Sequence, residues 1–467
     1  MIADIKPYAA YKDSGMAWLG QVPAHWELRP AFGAFVPIGE RNTGMKEKTV
    51  LSLSYGRIVV KPTHKLHGLV PESFETYQIV NPGDIVIRTT DLQNDHTSLR
   101  VAIVRDRGII TSAYLALHVQ TGVNPEFGYQ FLNVWDVSKA IYGYGSGLRQ
   151  GLDFSHFKRM PVALPPPAEQ AAIVQFLDWA NGRLDRTIRA KRKVIALLTE
   201  QKQAIIHGVV TRGLDPTVPL KPSGLASGDA VPQHWEVRRL KSLVKESVAG
   251  PYGSSLTKSM YTSSGYRVYG QQQVIPDNFD VGDYYISKEQ FLEMQRYRVY
   301  AGDVLVSVMG TVGKVAVVPE GVEEGIINPR LVRYRPDFAE VRPRWLQIAM
   351  QDSAAQAQLL ESSKGTTMNG LNMQSLGKLL LLKPPLAEQD AILNYVSSAS
   401  LPLVIAIGRI RREIELLREY RNRLVADVVT GSLDIGGVVA RLADGSASNR
   451  GGDPADETEL TDEEAET

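Results

Sequence analysis

No cysteine occurs in the 467 residues, which excludes a disulfide framework, a thiol nucleophile and any cysteine-based metal site, and suits a reducing cytoplasm. No uninterrupted apolar run approaches the roughly 18 residues that a spanning helix needs. The opening MIADIKPYAAYKDSG lacks the basic and apolar regions of a signal peptide, so a cytoplasmic location without a membrane partner is expected. Methyl-transfer signatures are missing too: there is no cofactor-binding glycine loop after a strand and no Asn/Asp-Pro-Pro-aromatic motif to hold a flipped base. Gly145-Ser-Gly147-Leu-Arg-Gln-Gly151 has one residue too many for a dinucleotide fingerprint and leads toward a strand. Gly310-Thr-Val-Gly313-Lys314 lacks the spacing of a phosphate loop and reads as a hairpin turn, and His64-x-x-His67, with no matched ligand partner, reads as a surface loop. No nucleophile, base and orienting acid stand out as a set, so no catalytic residue, metal site or cofactor is expected.

What is present is an ordinary globular composition, 43% hydrophobic and 22% charged, in a chain long enough for two to four domains. The formal net charge of +1 hides an asymmetry. Arg441 to Thr467 holds nine acidic and two basic residues, a balance of −7, which leaves about +8 on the other 440 residues and suits a polyanion partner. The tail from Gly436, rich in Gly, Ser and acid, is expected to be disordered.

The chain is organised around Pro165 to Asp215. Prolines and Ala168-Glu169-Gln170 open a helix, with an acid in its first turn near the positive end of the dipole. Apolar residues then recur at Ile173, Leu177, Ala180, Leu184, Ile188, Ile195, Leu198, Ile205 and Val209, a heptad seam once Lys191 and Lys202 are counted as polar positions. The pattern returns 219 positions later (392 − 173 = 219): Pro384, Pro385, Ala387, Glu388 and Gln389 precede Ile392, Val396, Ala399, Leu403, Ile407, Ile410, Ile414, Leu417, Arg421, Leu424 and Val428. Similar ends follow, Thr211-Arg-Gly-Leu-Asp215 and Thr430-Gly-Ser-Leu-Asp434. The sequence reads as a tandem duplication.

Ahead of each rod lies a β-rich block. Val50-Leu-Ser-Leu-Ser, Asp84 to Arg88, Leu99 to Val104 and Tyr114 to Val119 are expected strands, and Glu126 to Ile141 has helical spacing. In the second block Gly302-Asp303-Val-Leu-Val-Ser matches Gly83-Asp84-Ile-Val-Ile-Arg, Leu331-Val-Arg-Tyr matches Tyr114-Leu-Ala-Leu, and a helix is expected over Trp345 to Leu360. The edges repeat and the middles diverge.

The segment Trp18-Leu-Gly-Gln-Val-Pro-Ala-His25-Trp26-Glu27, its echo Val231-Pro-Gln-His-Trp235-Glu236, the twin Pro-Pro-x-Ala-Glu-Gln openings and the paired Thr-x-x-Leu-Asp ends together resemble the DNA-specificity subunits of type I restriction-modification enzymes, over about residues 11 to 435. The resemblance implies an α+β fold: two target-recognition domains, each reading half of a split site on double-stranded DNA, joined by two long helices that form an antiparallel coiled coil. It also implies methyltransferase subunits, two of them, around the helical spacer and restriction or motor subunits completing the complex, with cleavage and methyl transfer belonging to those partners. The expected divisions are an N-terminal segment (1–27), a first recognition domain (28–164), a central spacer helix (165–215), a linker (216–236), a second recognition domain (237–383), a C-terminal spacer helix (384–435) and an acidic tail (436–467).

Polar and basic groups in the divergent middles and glycine loops are the expected DNA contacts: Tyr55, Arg57, Arg88, Thr89, Thr90, Asn94 and Arg149 in the first block, and Tyr252, Ser254, Lys258, Lys314, Lys364, Thr366 and Thr367 in the second. Arginine can read guanine bidentately, while Lys, Ser and Thr mostly hold phosphate. Glu169, Gln170, Glu388 and Gln389 either face partner subunits or start their helices. A coiled-coil scaffold with two protein-binding heads, or an enzyme whose motifs escape recognition, are the competing readings.

Overall fold

The computed structural model describes residues 6–62, 73–92, 99–145, 151–225, 228–252, 255–363 and 371–445. The chain divides into two units, 1–190 with 413–467, and 191–412. The first unit is made of two separate pieces of sequence, because two long helices, Pro167–Arg212 and Leu386–Val429, each begin in one unit and end in the other.

In the first unit a four-stranded antiparallel sheet runs in the order Phe35–Pro37, Leu115–Val119, Ile85–Ile87, Val101–Ile103. All three residues of Ile85–Ile87 are buried, as a central strand covered on both faces requires. Beside it lie the pair Gln78–Val80 with Gly108–Ile110 and the hairpin Leu51–Ser54 with Arg57–Val60. The helix Pro125–Val137 starts where Asn124 Oδ1 accepts the Glu126 and Phe127 N–H groups at 2.9 and 3.3 Å. Its periodic residues Phe127, Phe131, Val134 and Trp135 are all buried, and they share one core with Trp26, Ile173, Leu177, Leu424 and Val428.

The second unit repeats this sheet order with Val244–Ala249, Leu331–Pro336, Val304–Ser307 and Val315–Val317. Its middle differs. Gly325–Ile327 pairs in parallel with Tyr266–Tyr269, whereas the corresponding Gly108–Ile110 of the first unit pairs antiparallel with Gln78–Val80. Gly310 and Gly313 do lie in a hairpin connection, between Val304–Ser307 and Val315–Val317, with φ of +66° and +80°. Where one helix was expected over Trp345 to Leu360 there are two, Pro343–Gln351 and Ser353–Ser363. Asp352 breaks them: its carboxylate meets His207 Nδ1 at 2.7 Å and accepts the Ala354 N–H at 3.0 Å, acting as a cap between them.

Every seam position expected on the long helices, the basic Lys191, Lys202 and Arg421 included, is buried or half-buried. Within the first unit Ile173 and Leu177 share a cluster with Leu424 and Val428, and Arg421 pairs with Asp185; within the second, Val209 shares one with Ile392. Both helices stop at a left-handed glycine. A Cβ on Gly431 (φ +77°) would sit 2.3 Å from Pro23 and 3.0 Å from Trp26, and one on Gly213 (φ +72°) 2.9 Å from Glu388 and 3.3 Å from Trp235. In each unit, therefore, the end of one rod lies against the tryptophan of the N-terminal motif or its echo.

One expectation needs correction. Structure does not end at Gly436: Gly436–Gly445 is a helix, because Val438, Val439 and Leu442 make an apolar stripe that packs, with Ile435, on the first unit's core. Among the described residues one helix, Leu386–Val429, is long and apolar enough to cross a membrane by length and composition alone. Serines at 397, 398 and 400 interrupt its apolar run.

Candidate nucleic-acid interface

The rod openings are built alike. Gln170 Oε1 accepts the Asn124 N–H at 2.7 Å while its Nε2 donates to Gly122 and Pro165 carbonyls at 3.1 and 2.8 Å. Gln389 does the same in the second unit, accepting from Arg342 N at 2.8 Å and donating to Glu340 and Pro384 carbonyls at 3.2 and 2.9 Å. Their exposures are 1% and 0%, so both carboxamides are turned into their own units and offer nothing to a partner. Of the two roles the sequence left open for the glutamines, these hydrogen bonds are those of a helix start. Glu169 accepts from Trp26 Nε1 at 2.9 Å and Tyr8 OH at 2.5 Å and meets His25 Nε2 at 2.9 Å. Burial and the neighbouring Glu169 carboxylate push the Tyr8 phenol well above its ordinary range. Glu388 meets His234 Nε2 at 2.7 Å. These acids remain part-exposed at the start of each rod.

Among the expected contacts of the first block, Tyr55 stands at the tip of the Leu51–Val60 hairpin, 68% exposed. It and Gly56 both have positive φ (+44° and +75°), the geometry of a tight two-residue connection, unusual for an aromatic residue and therefore strained. Arg57 follows it, exposed. Arg88, Thr89 and Thr90 form the loop after Ile85–Ile87. Thr89 is only 7% exposed and its hydroxyl donates to the Ala113 carbonyl at 3.2 Å, so its role is to hold the loop; Thr90 is exposed.

A residue that sequence reasoning missed shapes that loop. Arg100 is fully buried, and its guanidinium donates to the carbonyls of Arg88 (3.3 Å), Thr90 (2.9 Å) and Asp91 (3.1 Å). Its own N–H donates to Asp136 Oδ2 at 2.6 Å. Burial raises the Asp136 carboxyl above its usual range, opposed by that N–H and by nearby cations. In the second unit Arg267, 4% exposed, similarly holds the carbonyls of Val281 and Gly282, each at 2.6 Å, and Glu323 at 2.7 Å. Buried planar donors fixing loop carbonyls pre-organise a surface that must meet a ligand in one shape.

In the second block Tyr252 is 61% exposed, Lys258 sits in the turn leading to Tyr261, and Lys314 is exposed where the 307–315 hairpin returns to its strand. Asn94, Arg149, Ser254, Lys364, Thr366 and Thr367 lie outside the described residues, as do His64 and His67. Among the described residues no cluster of His, Asp and Glu suitable for a metal occurs.

Residues 232–416 match the family model of the type I restriction modification DNA specificity domain. Over 279 residues the chain is 24% identical to the type I restriction enzyme EcoBI specificity subunit of Escherichia coli, an alignment covering 57% of this chain and 58% of that subunit. It is similar in fold, with a TM-score of 0.58 and 16% identity over 87% of this chain and 98% of the other, to a solved structure described as the basis of complex assembly and conformational transition of the type I R-M system. A specificity subunit from Thermoanaerobacter tengcongensis aligns over 88% of this chain and 98% of its own, at 15% identity and a TM-score of 0.39. The family resemblance read from the sequence is borne out.

Proposed function

We propose that this chain, whose residues 232–416 match the type I restriction modification DNA specificity domain, is the non-catalytic DNA-reading subunit of a type I restriction-modification complex. It directs partner methyltransferase and restriction subunits to a split, asymmetric target. The observation that carries this reading is the recurrence, in each unit, of one sheet order and one buried glutamine latch at a rod opening, around middles that differ. Equal scaffolds with unlike reading loops suit a target whose two halves are unlike.

In this reading residues 28–164 and 237–383 are the two recognition domains, following the segment 1–27 and the linker 216–236. The spans 165–215 and 384–435 are the spacer helices, tandem copies packed as an antiparallel coiled coil. Support comes from the seam burial and from each unit holding the start of one long helix with the end of the other. Partner methyltransferase subunits dock on the rods. The helix Leu386–Val429 exposes Leu401, Val404 and Ile405 at 58%, 47% and 45%, an apolar face at helical spacing of the kind that marks a protein interface. Tyr55, Arg57, Arg88 and Thr90 contact DNA from the first domain and Tyr252, Lys258 and Lys314 from the second.

Co-expression with its methyltransferase partners, followed by mapping of methylated adenines, tests the whole reading. A two-part motif with different halves is expected, and methylation without a split motif would overturn it. The rods also predict a ruler. At ~1.5 Å per residue, removing one heptad from each shortens the spacer by ~10 Å, which is about 3 base pairs at ~3.4 Å per pair. The same mapping would read this, and an unchanged spacer would exclude the ruler.

A further inference from the structure

We infer that Arg330, held by Gln271, is a base-reading fork of the second domain and takes a guanine edge in the DNA major groove; this rests on the DNA-reading function proposed above. Arg330 is exposed and follows Asn328-Pro329 at the start of Leu331–Pro336, a central strand of the sheet. Its main chain is fixed on both sides. The Arg330 N–H donates to Asn328 Oδ1 at 2.9 Å, and its carbonyl accepts the Val308 N–H at 3.0 Å.

The side chain is fixed as well. Gln271 Oε1 accepts from Arg330 Nη1 at 3.2 Å, while Gln271 Nε2 donates to Ser307 Oγ and the Met309 carbonyl, each at 2.6 Å. The fully buried Ser307 hydroxyl donates in turn to the Thr311 carbonyl at 2.5 Å. One carboxamide thus joins the arginine to the 307–315 hairpin. With both ends of that amide engaged in the protein, Gln271 acts as a positioning residue, and the guanidinium is the group left to meet a ligand. No further partner of that guanidinium occurs among the described residues. A planar donor pair pre-aimed in this way matches guanine O6 and N7, and its restraint lowers the entropy lost on binding.

The surroundings fit a base edge better than a bare phosphate. Two residues before Tyr252, a Cβ on Gly250 would collide with the Asn328 carbonyl at 1.9 Å, so the Gly250–Tyr252 backbone lies directly on the turn that carries Arg330. Tyr252, two residues after Gly250, is 61% exposed, and Met309, whose carbonyl accepts from Gln271, is 39% exposed, so aromatic and apolar groups are carried by the segments that meet this turn. At the matching position the first domain carries no arginine. Both domains carry Gly-Ile-Ile before this turn, at 108–110 and 325–327, an offset of 217, which places Ala113 where Arg330 stands (330 − 217 = 113). The device belongs to one half-site only.

The test uses the full chain assembled with its methyltransferase partners and a duplex panel with every base pair of both half-sites substituted in turn. With R330A, preference for guanine at one position of the second half-site should fall by about 10-fold or more, with the first half-site unchanged. R330K, which keeps the charge and loses the fork, should lose the same preference while retaining affinity for random duplex. Q271A should weaken discrimination at that position alone, an effect that mere destabilisation would spread over the whole half-site. In the parent complex, 7-deazaguanine at that position should mimic R330A. Unaltered base preference in R330A, or an equal loss of affinity on all sequences, would overturn base reading by Arg330 while leaving the split-site function standing. A parent complex without any split-site preference would instead overturn the function beneath it.

Discussion

Asp303→Ala is expected to destabilise the second unit strongly. The carboxylate is 1% exposed and takes Arg333 Nη1 at 3.3 Å, Arg335 Nε at 3.0 Å and Nη2 at 3.3 Å, and the Tyr300 N–H at 3.0 Å. Arg333 is itself 2% exposed, so the substitution leaves a buried cation short of its buried partner. Removing one member of such a pair costs about 3–5 kcal/mol, because the stranded charge keeps its desolvation penalty and loses its Coulomb return. That is a large part of the roughly 5–15 kcal/mol that holds a domain folded. Glu246 also meets Arg333 and Arg335, at 3.0 and 2.8 Å, but its side chain is 41% exposed and water screens it. Asp84 at the same point of the first unit makes the instructive contrast, since its partners are the mostly exposed His118 at 2.9 Å and the Asn81 N–H at 2.7 Å. Asp84→Ala should cost only about 1–3 kcal/mol, the penalty for an orphaned buried group. Hydrogen exchange resolves the units: Asp303→Ala should expose the amides of Val304–Ser307, and native-like protection there would refute the argument.

That contrast also shows where sequence reading stops. The matched Gly83-Asp84 and Gly302-Asp303 were legible as repeated framework, because a strand and its turn residues leave a local pattern. Their partners, His118 and Arg335, stand at a matching distance along a later strand but are different residues, so only the folded sheet joins them. The rods were the most legible part, since a heptad seam is periodic in sequence itself. The glutamines were visible as a repeated motif, yet whether they faced a partner or the core depended on the distant turns at Asn124 and Arg342. Arg100 and Gln271 left no mark. Each acts on carbonyls or side chains of segments remote from it, and nothing in spacing distinguishes a buried arginine that clamps a loop from an exposed one that reads a base. The apolar stripe after Gly436 was missed for a different reason: three useful hydrophobes were averaged away by the acidic residues beyond them.

The second large effect is expected at the rod latch. Gln389→Ala removes an acceptor for the Arg342 N–H and a donor for the Glu340 and Pro384 carbonyls, in a site with no exposed surface. Each buried group left without a partner costs about 1–3 kcal/mol, so the sum is several kcal/mol even when relaxation recovers part of it. Gln389→Glu separates lost packing from lost polarity. One carboxylate oxygen can still accept from Arg342, but the other must face two carbonyls, so the folded site favours the protonated acid and raises its pKa above that of the unfolded chain. A raised carboxyl pKa makes folding relatively more favourable at low pH. The deficit of Gln389→Glu against the parent protein should therefore be smallest below about 4.3, the unfolded glutamate value, and grow as pH rises from there, levelling off once pH has passed the raised folded pKa. Gln389→Ala should show no such pH dependence. Chemical denaturation of the three proteins across that range is the measurement, and parallel pH profiles for the two variants would show that the carboxamide does not hold the rod to its domain as the distances indicate. Gln170→Ala should repeat the loss in the first unit. As the two latches share no partner, the double variant should lose close to the sum of the two.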